Sequence, residues 1–154
     1  MIYDSVLEMV GNTPMVRVTG LDTGPCELYL KLELMNPGGS IKDRIGMSMI
    51  EEAEKRGELK PGDTIVEATA GNTGLGLALV AARKGYKLIL VIPDKMSQEK
   101  ISLLRAYGAE VVVCPVAVAP EDPASYYAVA ERLTAELGAF RPNQYGNPDN
   151  PLSH

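Results

Sequence analysis

The feature that most constrains this chain is residues 64–84, where an apolar run leads through small residues into a helical pattern. Thr64–Ala68 is typical of a buried strand, and the segment 69–76 reads T-A-G-N-T-G-L-G. A helix is predicted over Asn72–Lys84, with Gly85 as its stop. A helix that starts directly after a strand leaves backbone N–H groups free, at the positive end of its dipole. The sequence therefore predicts an anion site at this loop.

The same unit recurs along the chain, which predicts an α/β fold. Strands are expected to begin at Thr64, Lys87 and Glu110, each 23 residues after the last. Helices are expected over 97–107 and 123–137, and a further short strand over 140–144. Continuous apolar strands that alternate with helices indicate a parallel sheet with helices on both faces.

The segment before this repeat is predicted to hold extended chain and one helix. The alternation E-L-Y-L-K-L-E-L over 27–34 has the period of a half-buried strand. A breaker loop follows, and a helix is expected from Ser40 to about Arg56. Ser40 is the expected N-cap, with Asp43 as its capping-box partner.

Composition narrows the range of partners. The chain has 154 residues, a net charge of −5 and no basic cluster, which argues against nucleic acid or an anionic membrane as a partner. Its apolar runs are too short to span a bilayer, and its start lacks a signal-peptide pattern. With His154 as its one histidine, no metal site is expected. We therefore expect a cytoplasmic protein.

The glycine loop by itself leaves two interpretations open. Its spacing is G-x-x-G-x-G, which is neither the dinucleotide fingerprint nor a P-loop. It could be a tight turn in which glycine only permits close packing. Thr69, Asn72 and Thr73 favour an anion site, because they can donate hydrogen bonds to a carboxylate or phosphate.

Lys42 and Gln144 are the other candidates, and each also has an ordinary interpretation. Lys42 falls in the first turn of its predicted helix, where the dipole favours the neutral amine by only about 0.3–1 kcal/mol. Burial would have to supply the rest before Lys42 could attack a carbonyl; otherwise it is a surface lysine. Gln144 follows a predicted strand, and the carboxyl ends of parallel strands line the ligand crevice. It would otherwise be a surface polar residue.

Four motifs together resemble one enzyme family. The segment 36–44, N-P-G-G-S-I-K-D-R, resembles the lysine motif of the pyridoxal-phosphate enzymes of the cystathionine β-synthase and cysteine synthase family. The segment 69–74, T-A-G-N-T-G, resembles the loop that holds the substrate carboxylate. The segments 11–14 and 144–148 match as well, so the resemblance extends over the whole chain. It implies the tryptophan-synthase-β-like architecture, called fold type II.

The resemblance also implies roles for individual residues. Lys42 would form the Schiff base with pyridoxal 5'-phosphate and move protons at the substrate α-carbon. Asn72 would bind the ring hydroxyl of the cofactor. The amino-acid carboxylate would be held by Thr69, Ala70, Gly71, Thr73 and Gln144. Many members have serine where this chain has Ala70, so one hydroxyl donor is lost.

The implied reaction is β-replacement, in which a serine-type amino acid loses its β-substituent and a thiol adds. The segments 93–100 and 144–145, and the proline-rich loop before Ser125, look more like cystathionine β-synthases, which join serine and homocysteine. Cysteine synthase, which uses O-acetylserine and sulfide, is the alternative. Two other classes stay open: a non-catalytic module that binds small anions, and a nucleotide-binding domain, for which the acidic residue of a ribose site is not evident.

The resemblance implies a division of the chain as well. Residues 1–40 would be an arm that packs on the large domain, 41–146 the small βα domain, and 147–154 the start of the large domain. The family's second glycine-rich loop, for the cofactor phosphate, and its partner for the pyridine nitrogen are not found in this sequence. We therefore expect an N-terminal part of a longer homodimeric enzyme, inactive by itself.

Overall fold

The computed structural model describes residues 2–154 and contains five strands and five α-helices. The strands are β1 (Met15–Val18), β2 (Leu28–Lys31), β3 (Thr64–Ala68), β4 (Lys87–Pro93) and β5 (Glu110–Cys114). The helices are α1 (Lys42–Arg56), α2 (Asn72–Lys84), α3 (Gln98–Ala106), α4 (Tyr126–Leu137) and α5 (Asp149–Leu152). Short 3₁₀ turns cover Val6–Met9 and Glu33–Met35. Within the described part of the chain, no helix is both long and apolar enough to cross a bilayer.

The central sheet is parallel, with the strand order β3-β4-β5. Its strands are apolar on both sides because helices cover both faces. One face packs against α1, α2 and α3 in a core that includes Ile65, Leu90 and Leu104. The other packs against α4 through Val66, Val91 and Ala130. The predicted α/β architecture is confirmed.

The predicted strand over 140–144 is wrong, since only its first residue pairs with the sheet. Phe140 bridges to Ile65, and the N–H of Val66 donates to the Phe140 carbonyl at 2.9 Å. Pro142 has no N–H to continue the ladder, and Asn143 adopts a left-handed conformation with φ 51°. The chain therefore leaves the sheet as a turn.

Two predicted helix starts also need correction. α4 begins at Tyr126, not at residue 123, because the Ser125 hydroxyl oxygen caps it by accepting from the N–H of Ala128 at 3.2 Å. α1 begins at Lys42 with Ile41 as its N-cap residue, so Ser40 is not the N-cap, although its hydroxyl oxygen accepts from the N–H of Lys42 at 3.1 Å. The predicted capping box is absent, because the Asp43 carboxylate accepts from the N–H of Gly38 instead.

Before α1, residues 15–31 form an exposed hairpin attached to the βα body. β1 and β2 pair antiparallel, from Met15 opposite Lys31 to Val18 opposite Leu28. The half-buried strand predicted over 27–34 is wrong in length and burial, since β2 has four residues and Tyr29 and Leu30 are about half exposed. The segment that follows turns away because Glu33 binds Arg44 of α1.

The last residues also contact the body. α5 packs against α1, where the Arg56 guanidinium pairs with the Asp149 carboxylate at 2.9 Å. The Ser48 hydroxyl donates to the Asp149 carbonyl at 3.2 Å. Glu33, before α1, and Asp149, in α5, therefore both form ion pairs with α1, the helix that begins at Lys42.

Candidate active site

The β3–α2 connection leaves the N-terminus of α2 without a side-chain cap. Gly71 is its N-cap residue, in an extended conformation, and no side chain accepts from the first turn. By contrast, Ser97 caps α3 and Ser125 caps α4. An uncapped N-terminus at the carboxyl edge of a parallel sheet keeps its N–H groups available to an anion.

The threonines of this connection are held in place by packing. Thr69 is 1% exposed, and its hydroxyl oxygen accepts from the N–H of Gly71 at 3.2 Å, which leaves the hydroxyl proton free for a ligand. A Cβ atom on Gly74 would lie 2.8 Å from the Thr69 methyl carbon, so glycine is required for this fit. Thr73 is buried, Ala70 and Gly71 are half-buried, and Asn72 is exposed.

Lys42 is placed beside α2 by direct backbone contact between two helices. A Cβ atom on Gly76 would lie 2.4 Å from the Lys42 carbonyl oxygen. A Cβ atom on Gly46 would lie 2.6 Å from the Gly76 carbonyl carbon. These glycines let the first turns of α1 and α2 touch, which brings the lysine to the edge of the sheet that carries the 69–71 loop.

A cluster of hydrogen bonds fixes the segment before Lys42. The Glu33 carboxylate accepts from the Arg44 guanidinium at 2.9 and 3.0 Å and from the Thr13 hydroxyl at 2.6 Å. These bonds, those to Arg44 first, lower the pKa of Glu33 to about 2. The Asn36 amide donates to the same carboxylate at 2.9 Å, and its oxygen accepts from the N–H of Gly11 at 2.8 Å. The segments 11–14 and 36–44 are therefore both bonded to the Glu33 carboxylate.

Asp43 explains the first glycine of the lysine motif. Its side chain is fully buried, and a Cβ atom on Gly38 would lie 2.4 Å from the Asp43 carboxylate oxygen. Burial raises the pKa of Asp43, while the N–H of Gly38 acts in the opposite direction. Asp43 and Arg44 therefore shape the loop and the helix start on either side of Lys42.

Gln144 lies against the end of β3. Its side-chain amide donates to the Ala68 carbonyl at 3.1 Å, and the backbone carbonyl of Gln144 accepts from the Asn150 side-chain amide at 2.8 Å. It is 8% exposed, so it is not a surface residue. The structure thus places Gln144 next to the residue that precedes Thr69.

A cleft opens beside the same loop, between the ends of β3 and β4. It has a volume of about 230 Å³ and is lined by Ala70, Lys95, Met96, Ser97 and Lys100. A larger cleft of about 460 Å³ lies at the opposite edge, where Thr64, Lys87 and Glu110 begin their strands. Ligands of open parallel sheets bind at the carboxyl ends, so the smaller cleft belongs to the candidate site.

Comparison with known families matches residues 6–154 to the family described as pyridoxal-phosphate dependent enzymes. This chain belongs to that family. The family's cofactor is pyridoxal phosphate, as the sequence predicted.

Individual relatives agree with this assignment. The chain is 50% identical to cystathionine β-synthase of Dictyostelium discoideum over 156 aligned residues, covering 100% of this chain and 31% of the relative. It is 49% identical to cysteine synthase of Staphylococcus aureus, covering 98% of this chain and 48% of the relative. The crystal structure of O-ureido-L-serine synthase superposes with a TM-score of 0.92 at 42% identity, over 100% of this chain and 48% of that protein. The chain thus spans less than half the length of each of these relatives, and the fold type II prediction is confirmed.

Two side chains of the site, Lys42 and Asn72, have the donors that the aldehyde and the ring hydroxyl of the cofactor would require. Within residues 2–154, the amine of Lys42 and the side-chain amide of Asn72 make no hydrogen bond or ion pair. An unpaired amine suits an aldehyde, and an amide donor suits a ring hydroxyl. A Cβ atom on Gly71 would meet nothing within 4 Å, so the loop faces open space.

Sequence reasoning missed Glu67 and the role of Glu33. Glu67 lies in β3 at 1% exposure, and burial raises its pKa. The signal was present, because a carboxylate inside an otherwise apolar strand needs partners. Glu33 was counted only as one polar position of an alternating strand.

Proposed function

We propose that the enzyme to which this chain belongs carries out β-replacement on a serine-type amino acid, and that it joins serine with homocysteine to give cystathionine. One observation supports the proposal: Lys42, whose amine is unpaired, contacts through its backbone the helix α2, whose uncapped N-terminus follows the Thr69 loop. A lysine at the helix next to a carboxylate site is the arrangement that an amino-acid substrate of such an enzyme requires.

The side chains divide the work between binding and proton transfer. The bound cofactor supplies an electron sink for negative charge at the substrate α-carbon. Lys42 removes and returns the proton at that carbon. Asn72 would donate to the ring hydroxyl of the cofactor. The substrate carboxylate is held by the hydroxyls of Thr69 and Thr73, the N–H groups of Ala70 and Gly71, and the Gln144 amide.

The cleft beside Ala70 favours homocysteine over sulfide as the second substrate. Lys95 and Lys100 line it, and within the described residues neither forms an ion pair. Homocysteine carries a carboxylate that these ammonium groups can bind, whereas sulfide carries none. Cysteine synthase activity is the second candidate, because a cysteine synthase is as similar to this chain as a cystathionine β-synthase.

The remaining family expectations belong to the same proposal. We propose that residues 1–40 pack on a large domain, that 41–146 form the small domain, and that 147–154 begin the large one. The exposed apolar side chains of the hairpin support this division, since a face of that kind is usually covered. The proposed enzyme is cytoplasmic and a homodimer, and light scattering of the full-length protein would test its dimeric state.

Steady-state kinetics on the full-length enzyme tests the reaction. We expect faster turnover with serine and homocysteine than with O-acetylserine and sulfide. Lys42→Ala should abolish turnover and the visible absorbance of the bound cofactor. Lys100→Gln should raise KM for homocysteine several-fold and leave KM for sulfide unchanged, because only the former presents a carboxylate.

The outcomes separate the candidates. Faster turnover with sulfide would reject the homocysteine assignment and favour cysteine synthase. An enzyme that binds cofactor but turns over neither pair would reject β-replacement. A colourless protein with an ordinary surface reactivity at Lys42 would favour the non-catalytic anion-binding module.

A further inference from the structure

Glu67 is a buried acid that the proposed chemistry does not use. It lies in β3 at 1% exposure, between Val66 and Ala68, which belong to an apolar core. Burying a carboxylate is costly unless hydrogen bonds and nearby charge offset the loss of water. The Glu67 carboxylate must therefore have hydrogen-bond donors or a positive charge close to it.

Its partners are the backbone of the turn that carries Gln144. One carboxylate oxygen accepts from the N–H of Asn143 at 2.8 Å, and the other accepts from the N–H of Gln144 at 3.3 Å. These bonds join β3 to a segment more than seventy residues away in sequence. They occupy the two N–H groups directly after Pro142, where the sheet ladder stops.

The turn also has hydrogen bonds of its own, since the Asn147 amide donates to the Pro142 carbonyl at 2.9 Å and the Asn150 amide donates to the Gln144 backbone carbonyl at 2.8 Å. The Glu67 carboxylate is the group that bonds its first two N–H groups to β3.

Asn143 is left-handed, with φ 51°, which is unfavourable for a residue with a side chain. The positive charge of Arg141 acts to lower the pKa of Glu67, and the charge of Glu67 contributes to a raised pKa of Tyr145. The side-chain amide of Gln144 then reaches the Ala68 carbonyl at 3.1 Å, beside the Thr69 loop.

We infer that Glu67 is a positioning residue of the carboxylate site, which fixes Gln144 through the backbone of its turn. The inference rests on the proposed function, because it concerns how the substrate carboxylate is held. Both Glu67 carboxylate oxygens accept from backbone N–H groups, and a hydrogen bond from the Gln144 side chain also acts to lower the pKa of Glu67. Glu67 acts through the geometry of the Gln144 amide.

Glu67→Gln in the full-length holoenzyme tests this inference. The substituted amide keeps the shape but presents an NH₂ group to one of the two N–H donors, so one bond is lost. We expect KM and the dissociation constant for serine to rise about tenfold, with kcat changed little, because the carboxylate grip is made equally in the ground and transition states. Amide exchange at Asn143 and Gln144 should accelerate.

Three comparisons separate positioning from general damage. Glu54→Gln is the control, because it also removes the charge of a hydrogen-bonded carboxylate. The Glu54 carboxylate accepts from Tyr86 and Lys84 and has no bond to the turn. Glu54→Gln should leave KM for serine unchanged. Glu67→Asp keeps the charge and should restore part of the affinity. In a Gln144→Ala background, Glu67→Gln should add little, because the residue through which it acts is gone.

Independent, additive effects of the two substitutions would overturn the inference, and so would equal losses in Glu67→Gln and Glu54→Gln. If Glu67→Gln does not fold, Glu67→Asp and its combination with Gln144→Ala decide by the same criterion. A wild-type enzyme that binds no amino acid would instead overturn the proposed function. In that case amide exchange alone would still report whether Glu67 holds the turn.

Discussion

Glu33 is the residue on which the lysine segment is assembled. Its carboxylate accepts from the Arg44 guanidinium, the Thr13 hydroxyl and the Asn36 amide, which come from the two segments 11–14 and 36–44. Its exposure of 19% and that of Arg44 at 22% make this ion pair partly shielded from solvent. Such a pair contributes more than a fully exposed one.

We expect Glu33→Gln to lower the free energy of unfolding of the full-length enzyme by about 1–2 kcal/mol at neutral pH. The pKa of Glu33 is lowered from 4.5 to about 2 in the fold, so its contribution is fully present above pH 4.5 and is lost as the pH falls toward 2. Urea unfolding of wild type and variant between pH 7 and pH 3 measures the difference. A difference that stays constant over this range would contradict the assignment.

At the scale of elements, the contact between α1 and α2 decides where the lysine lies. Helix packing at ordinary distance separates backbones by side chains, whereas here Gly46 and Gly76 let carbonyl groups touch. The contact acts on Lys42 directly, since its own carbonyl oxygen is the nearest atom to Gly76.

Gly76→Ala should therefore destabilise the enzyme by about 2–3 kcal/mol, despite the better helix propensity of alanine, because a backbone carbonyl cannot yield to the new methyl group. Gly20→Ala is the control, since a Cβ atom there would meet nothing within 4 Å. Thermal unfolding and cofactor affinity are the measurements. Equal melting temperatures for the two variants would show that the helices separate without penalty.

The elements that could be predicted from sequence are those whose signals are local. The β3–α2 unit was located by an apolar run, small residues and the Gly85 stop, and its bounds agree with the structure. The segments 27–34 and 140–144 could not be predicted in this way. Their course depends on Glu33 and Glu67, whose partners include residues outside those segments, 11 and 20 residues away for Glu33 and 76 and 77 residues away for Glu67. The site followed the same rule, since motifs indicated its residues but not the partners of the two carboxylates that arrange them.

At the scale of the whole molecule, most of the exposed large apolar side chains of residues 2–154 lie before α1. Met15 is 61% exposed and Met35 57% exposed. Exposed apolar groups that cluster in one region mark an interaction surface. This agrees with the proposed packing of residues 1–40 on a large domain.

Hydroxyl-radical footprinting of the full-length enzyme tests that packing. Met15 and Met35 should be protected relative to Leu137, which is 53% exposed on α4, once each is normalised to its intrinsic reactivity. The reason is that the large domain would cover the first two and not the third. Equal labelling of all three side chains would contradict the proposed division of the chain.

The bond between Gln144 and Ala68 also has a consequence for the order of events during synthesis. It spans 76 residues of sequence, and ribosomes add about 5–20 residues per second. The β3 strand is therefore made roughly 4–15 s before its partner turn exists, which is long compared with the formation of a helix or the closure of a short loop. During that interval Glu67 has no backbone donors, and the Thr69 loop has no glutamine beside it. The site is thus completed only when the turn that carries Gln144 has been synthesised, and until then the Glu67 carboxylate lacks its native hydrogen-bond partners.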